Sequence, residues 1–346
     1  MYGAPVMPPR KETRTPPPAT DARGERGERG ECGERGERGE RGERGLKSEA
    51  LKQALAAALQ GRRANLEVLL ARHGGMPAPR PNLELAAAFG TELASAPGDV
   101  LPLLEHLTRS DAAPDTAEIF LPIAAAYGWS ALIRTRRDTA AAWEALPELL
   151  ADERAPVRLG VRDALVQLAG QPGQADRLVA RGLAWLTDIE DRDPRFGVAA
   201  LLTDVLADKT VLANLGDAAA LRAYLSAVLA DASLAPRTAS RMESYRRVLA
   251  ALPRALAAAV SHGGAPTGGA SAAEAWLVEE CGRATHPPVR DALSSAIAQL
   301  RLPAHGQGAG VVSGLRKALQ QSAKPPRDPT LIRPGLGRGK RSRPIK

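Results

Sequence analysis

Apolar residues recur at helical spacing along most of this chain. In the segments 157–168, 178–189 and 289–300 they follow one another at steps of three and four positions, which places them on one face of an α-helix. Gly, Pro or Asp separates one such segment from the next, and these residues commonly begin or end helices. The pattern therefore predicts a series of short amphipathic helices with one buried face each.

Prolines mark a repeat in this series. Pro156, Pro194, Pro236 and Pro288 are each predicted to open a helix, because proline is tolerated at the first helical position. Two-helix repeats are about 40–47 residues long, and the distances between these prolines are close to that length. The last distance is longer, and the segment 262–271, HGGAPTGGAS, is the predicted insertion.

One segment, 143–169, carries a more specific pattern. Pro147 lies within its first helix, Asp152 follows that helix, and Val157 and Arg158 open the second. The segment resembles a HEAT repeat, and 191–208 and 284–300 resemble it more loosely. The resemblance implies that Pro147 kinks its helix and that the Asp and Arg bond within and between neighbouring repeats. It also implies an all-α, armadillo-like α-solenoid of stacked antiparallel helix pairs.

The chain divides into three parts by composition. In residues 1–45, glycine recurs at every third position from 24 to 45 with Glu and Arg between, and we predict a disordered, charge-balanced low-complexity segment. Residues 46–323 form the predicted HEAT-like α-solenoid, with 47–63 as its polar first helix. Residues 324–346 are rich in Pro, Gly and basic residues and are predicted to be a disordered tail.

Composition excludes several other classes of protein. Aromatic residues are 3% of the chain, which argues against an all-β fold. We expect no membrane span and no secretory leader, because no apolar run is long enough. Two cysteines and five scattered histidines predict no disulfide framework, no metal site and no cofactor, and they favour a cytoplasmic location.

The positive charge is concentrated at the end of the chain. The net charge is +8, and the tail 324–346 holds eight basic residues and one acid. Two interpretations stay open for such a tail: it only keeps the protein in solution, or it neutralises the phosphates of RNA, DNA or anionic lipid. Because it has no aromatic residue to stack on a base, any binding to nucleic acid is expected to be independent of sequence. The residues expected to make these contacts are Arg338, Lys340, Arg341 and Arg343.

A second group of arginines follows the repeat. Arg158, Arg195, Arg237 and Arg290 each come one or two residues after a helix-opening proline, so the repeat is expected to align them. Two interpretations stay open for this row. It is either part of a structural Asp–Arg ladder or a line of contacts to phosphate groups or to an acidic partner.

Four other places combine residues that could carry chemistry. They are the turn with Trp129, Arg134, Arg136, Arg137 and Asp138; the group Trp185, Asp188, Asp191 and Arg195; the glycine-rich segment 305–315; and Cys281 with His286. We interpret the first as a solvated turn, the third as a flexible connector and Cys281 as a core residue. The second has residue types similar to those that hold a damaged base in HEAT-like alkylation-repair DNA glycosylases.

The sequence contains no motif of a hydrolase triad, a paired-carboxylate site or a nucleotide-binding loop, which favours a non-enzymatic function. We expect a binding scaffold for a protein partner, with added nucleic-acid affinity from the tail. The alternative is an enzyme on the same fold: a DNA glycosylase for alkylated bases or a factor of the bilin lyase type.

Overall fold

The computed structural model describes residues 49–78, 80–137, 139–262, 272–300 and 307–323. These residues are helical or lie in the turns between helices, and there is no strand among them. The expectation of an all-α protein is therefore confirmed for this part of the chain.

The helices follow one another with short connections. We number them α1 (49–59), α2 (Ala64–His73), α3 (Leu83–Ser95), α4 (Leu101–Thr108), α5 (Phe120–Thr135), α6 (Thr139–Leu150), α7 (Ala155–Ala169), α8 (Gln174–Asp188), α9 (Arg192–Leu206), α10 (Lys209–Ala213), α11 (Ala218–Ser233), α12 (Glu243–His262), α13 (Ala272–Arg283), α14 (Pro287–Gln299) and α15 (Gln307–Gln321). Short 3₁₀ helices span Ala117–Ile119 and Arg237–Arg241.

The three segments with the clearest apolar periodicity are helical, as predicted. They correspond to α7, α8 and α14. Pro156 and Pro288 lie in the first turns of α7 and α14, where no amide donor is needed. Pro147 lies inside α6, at the place where the HEAT resemblance puts a proline in the first helix of the pair.

Two local predictions were wrong. Pro236 does not open a long helix: the 3₁₀ helix Arg237–Arg241 follows it, and α12 begins only at Glu243. The segment 305–315 is not a connector throughout, because α15 begins at Gln307. Glycine lowers helix propensity by about 1 kcal/mol per residue, but Leu315 and Leu319 of α15 are buried in the core, and their burial outweighs that cost.

The helices pack in two rows. In the first row, α3 packs on α5, α5 on α7, α7 on α9, α9 on α12, and α12 on α14. In the second row, α4 packs on α6, α8 on α11, α11 on α13, and α13 on α15. Contacts between the rows join helices that are neighbours in the chain, such as α5 with α6 and α8 with α9. One hydrophobic cluster runs through both rows from Leu51 to Leu319.

The helices α7, α9 and α12 of the first row run in parallel. Arg162 of α7 and Arg254 of α12 both bind Asp204 of α9, and Ser244 near the start of α12 donates to Asp193 near the start of α9. Ser244 and Asp193 precede Arg254 and Asp204 by about three turns, so α9 and α12 run in one direction. Gly197 near the start of α9 lies against Ala151 just before α7, whereas Arg162 further along α7 reaches Asp204 and Asp208 further along α9, so α7 runs in that direction too. These three helices carry the candidate site.

None of the described helices is both long and apolar enough to cross a membrane.

Candidate binding surface on α7, α9 and α12

Three of the four arginines in the predicted row occupy equivalent positions. Arg158, Arg195 and Arg290 are the fourth residues of α7, α9 and α14. Each donates from Nη1 to a backbone carbonyl five or six residues earlier: Glu153 O for Arg158, Ile189 O at 3.2 Å for Arg195, and Ala284 O at 3.2 Å for Arg290. Each arginine therefore satisfies a carbonyl in the turn that leads into its own helix.

Two of these arginines also reach the following helix pair. Arg195 forms a bidentate pair with Asp231 of α11, at 2.9 and 3.0 Å. Arg290 donates to Oγ of Ser322, just beyond α15. Both guanidinium groups are thus bound by other residues of this chain, as the structural interpretation of the row expects.

The fourth member, Arg237, does not share the register. It is exposed and lies in the 3₁₀ helix, six residues before α12 begins. The proline spacing gave the wrong position because Pro236 precedes a separate short turn. The fourth residue of α12 is Arg246, which pairs with Glu243 at 2.7 Å.

Asp152 and Arg154 connect the turn before α7 to the turn after α4. Arg154 binds both oxygens of Asp152 and donates to the carbonyls of Ser110 and Ala112 at 2.8 and 3.0 Å. The HEAT resemblance implied that Asp152 and Arg158 make such bonds, but Arg154 binds Asp152, and Arg158 donates to the Glu153 carbonyl instead. The pKa of Arg154 is raised, chiefly by its hydrogen bond to Asp152.

A distinct surface lies on the solvent side of α7, α9 and α12, and we call it the arginine face. Asp204 is the one residue of α9 between Phe196 and Leu206 that is not buried, so it marks the outward line of this helix. Four arginines flank that line, two from each neighbouring helix. They are Arg158 and Arg162 of α7 and Arg247 and Arg254 of α12.

The lower half of the arginine face is an ion-pair network. Arg162 donates to Asp204 at 2.6 Å and to Asp208 at 2.9 Å, and Arg254 binds Asp204 at 3.3 Å. Burial alone would lower the pKa of Arg162, but the two aspartates outweigh it and raise that pKa. Two carboxylates thus face four arginines, so the surface carries an excess of positive charge.

The arginine row predicted from the sequence did not include three of these arginines. Arg162 could have been found from sequence, because it lies four residues after Arg158 and therefore on the same helix face. Arg247 and Arg254 are seven apart on α12, which also indicates one face. That this face lies opposite the face of α7 could not be found, because it depends on how three separate helices pack.

The Trp185 group does not present its aromatic ring to a ligand. Trp185 is 6% exposed and packs on Trp143 with ring centroids 6.1 Å apart. Arg195 is bound to Asp231, while Asp188 and Asp191 are exposed. The aromatic residue needed to hold a damaged base is therefore part of the core.

The turn after α5 is held by backbone contacts. Trp129 is buried and donates from Nε1 to Thr108 Oγ1 at 2.9 Å. Arg136 has a left-handed backbone and ends α5, and Arg137 donates to the carbonyl of Ala96 at 2.5 Å. Arg134 is exposed, and Asp138 lies outside the described residues. The turn is thus partly structural rather than only solvated.

Cys281 does not pair with His286. The thiol is buried, and burial together with the charge of Glu280 raises its pKa to about 11. His286 instead lies 3.5 Å from the hydroxyl of Tyr245. Cys281 is therefore a core residue, protonated at neutral pH.

Cavities also lie elsewhere, among them one of about 430 Å³ between α1 and α3 and one of about 520 Å³ between α11, α13 and α14. A cleft of about 700 Å³ beside α2 and α4 is lined by charged residues, of which Glu67 pairs with His106 at 2.8 Å and Glu105 with Arg109 at 3.7 Å. Acids outnumber arginines in the lining of this cleft, the reverse of the arginine face.

A pocket of about 30 Å³ lies between α3, α5 and α7, where Tyr127 donates to Asp163. Burial, first, and the Asp163 contact raise the pKa of Tyr127.

Other sequence predictions lie outside the described residues. These are the tail contacts Arg338, Lys340, Arg341 and Arg343, and most of the insertion 262–271. Within the described ranges, no group of three His, Cys, Asp or Glu side chains is arranged to hold a metal ion.

Comparison of the chain with protein-family models, with curated proteins and with solved structures found no match.

Proposed function

We propose that this protein is a HEAT-like α-solenoid that serves as a non-enzymatic binding scaffold in the cytoplasm, and that the arginine face binds an acidic protein partner. The solenoid is supported by the order of packing, in which helices of each row contact helices one repeat away. The position of Pro147 inside α6, where a HEAT repeat has a proline in its first helix, supports the same architecture.

The observation that carries the binding proposal is the charge imbalance on the arginine face. Arg162 and Arg254 pair with Asp204 and Asp208, and no ion pair within the described residues joins Arg158 or Arg247 to a carboxylate. By contrast, Arg195, Arg154 and Arg246 each have a carboxylate partner. Uncompensated arginines are costly to hold near one another, and a partner with acidic groups removes that cost. Leu159, exposed at 43%, adds apolar contact area beside them.

The alternative of a base-excision enzyme has less support. It needs an aromatic residue at a ligand surface, and Trp185 is enclosed in the core. A scaffold needs only a stable surface of suitable charge, which rigid helices provide.

Site-specific photo-crosslinking tests this proposal in the cells that make the protein. A photoreactive amino acid replaces Leu159 on the arginine face, and a matched chain carries it at Leu183 of α8, which is 38% exposed. We expect a discrete protein adduct from position 159 and none from position 183. The adduct should vanish when Arg162 and Arg254 are both changed to Glu.

Equal adducts from both positions would overturn the proposal, and so would no adduct from position 159. Circular dichroism of each variant establishes that it is folded, because the Arg162→Glu and Arg254→Glu changes also remove ion pairs with Asp204.

A further inference from the structure

Among the four arginines of this face, Arg247 is the one with no hydrogen bond or ion pair to the described residues. Its Nε and Nη1 are buried and make no hydrogen bond. A buried N–H group that has lost water and gained nothing costs about 1–3 kcal/mol, and more when the group is charged. Nη2 is not among these enclosed nitrogens, so an acceptor from outside the described residues, as water or as an anion, reaches the guanidinium group there.

The register of the helices explains why no carboxylate reaches it. Arg162 meets Asp204 across 42 positions, and Arg254 meets it across 50. The same offsets put Arg158 level with Ala200 and Arg247 level with Gly197 on α9. Neither residue has a polar side chain. Asp204 lies one turn beyond Ala200 and two turns beyond Gly197, and Asp193, one turn before Gly197, accepts from Ser244.

Arg158 is the neighbouring charge. Its pKa is lowered, first by burial and next by the charge of Arg247, so the two guanidinium groups interact across α9. Its hydrogen bond within the chain is to the Glu153 carbonyl, which leaves further donors. The acids around it are Asp152, Glu153 and Glu243, of which Asp152 is bound to Arg154 and Glu243 to Arg246.

Two adjacent arginines match one particular kind of anion. A phosphate monoester carries nearly two negative charges at neutral pH, with three acceptor oxygens, whereas a carboxylate carries one charge. A single dianion therefore neutralises both guanidinium groups. A nucleic-acid backbone fits less well, because Asp204 and Asp208 already neutralise Arg162 and Arg254, so the arginine face offers no further unpaired arginine to the next phosphate.

We propose that Arg158 and Arg247 form a seat for the phosphoryl group of a phosphorylated protein partner. This inference rests on the proposed function, since it names the group by which the partner is recognised. The arginines bind without reacting with it, and the lower pairs of Arg162 and Arg254 with Asp204 hold α7, α9 and α12 in place around the seat.

The Nε–H resonances of arginine report on the seat directly. The full chain is titrated with phosphoserine and, in parallel arms, with inorganic phosphate, with serine and with a short duplex DNA. We expect saturable shifts of the Arg158 and Arg247 signals with phosphoserine at a Kd of about 1 mM, the range for a small anion held by a few charge-assisted bonds. Serine should cause no shift.

Variants distinguish binding at the seat from general electrostatic attraction to the positively charged protein. Arg247→Gln should weaken phosphoserine binding at least about tenfold, and Arg158→Gln should do the same. Arg237→Gln, which removes an exposed arginine of the sequence row outside the seat, should leave binding unchanged. Because Gln is polar and has good helix propensity, although it is shorter than Arg, the circular dichroism of each variant should match that of the wild type.

Three results would overturn the seat. They are no shift of the Arg247 Nε–H signal, equal loss of binding in Arg237→Gln, and duplex DNA binding that is stronger than phosphoserine binding and depends on Arg247. If inorganic phosphate binds and phosphoserine causes no shift, the site binds the free ion only, and the proposal of a phosphorylated protein partner is rejected. The crosslink from position 159 is independent of these titrations, so the scaffold and the seat can fail separately.

Discussion

A close approach of the α3 and α5 backbones at Gly90 gives a quantitative test of the packing. A methyl group added at Gly90 of α3 would lie 2.6 Å from the Tyr127 carbonyl oxygen and 2.9 Å from its carbon, both in the backbone of α5. Neither atom can turn aside as a side chain can. The Gly90→Ala change therefore forces α3 and α5 apart by several tenths of an ångström.

The energetic cost follows from that displacement. A gap of about 0.5–1 Å forfeits a quarter to a half of the dispersion energy of the contacts across it. The seam includes buried Phe89 and Leu93, so a cost in the upper part of the about 1–3 kcal/mol typical of overpacking is expected. Alanine returns about 1 kcal/mol of helix propensity. The expected net destabilisation is about 1–2 kcal/mol, or about 2–8 °C in Tm.

Two other glycines serve as matched controls. At Gly128, the added methyl group would meet the side-chain tip of Leu104, which can move, so the loss should be smaller. At Gly282 of α13, nothing lies within 4 Å, and Gly282→Ala should stabilise the protein by up to about 1 kcal/mol.

Urea unfolding followed by circular dichroism at 222 nm measures all three variants. The expected order of stability is Gly282→Ala above Gly128→Ala above Gly90→Ala. The reasoning is refuted if Gly90→Ala is as stable as the wild type with an unchanged m-value, because α3 and α5 would then not be in backbone contact.

Two further predictions concern single side chains. Burial tends to raise the pKa of Asp208, but hydrogen bonds from the Thr210 amide and from Arg162 outweigh it and lower that pKa. Its stabilising effect is therefore full above the unfolded-state pKa and is lost as pH falls through the lower folded one, so the stability gap between wild type and Asp208→Asn should shrink from pH 7 to about pH 3. A gap that stays constant in urea titrations across this range would contradict the ion pair with Arg162. Cys281, buried and with its pKa raised to about 11, should react with a thiol reagent only when the protein unfolds. In a Cys32→Ser background, rapid labelling of the native protein would show that the thiol is accessible.

The sequence by itself determined the helices and their apolar faces. Steps of three and four positions in 157–168 and 289–300 identified α7 and α14, because a single helix can bury one face only if its apolar residues lie along it. The same local logic located Pro156 and Pro288 in first turns. It failed at Pro236 and at 305–315, where burial of residues distant in the chain decided the local structure.

The tertiary structure decided which arginines are available. Arg158, Arg195 and Arg290 are equivalent in sequence and in helix position, yet Arg195 has Asp231 and Arg290 has Ser322, while Arg158 faces Arg247. The spacing of residues along one helix cannot predict that difference, because it depends on which residue of the next helix lies level with each arginine. The offsets between α7, α9 and α12 place Asp204 opposite Arg162 and Arg254 and place apolar α9 residues opposite the other pair. The sequence determined which positions carry arginines and aspartates. The packing of the three helices determined which of these arginines have no carboxylate opposite them.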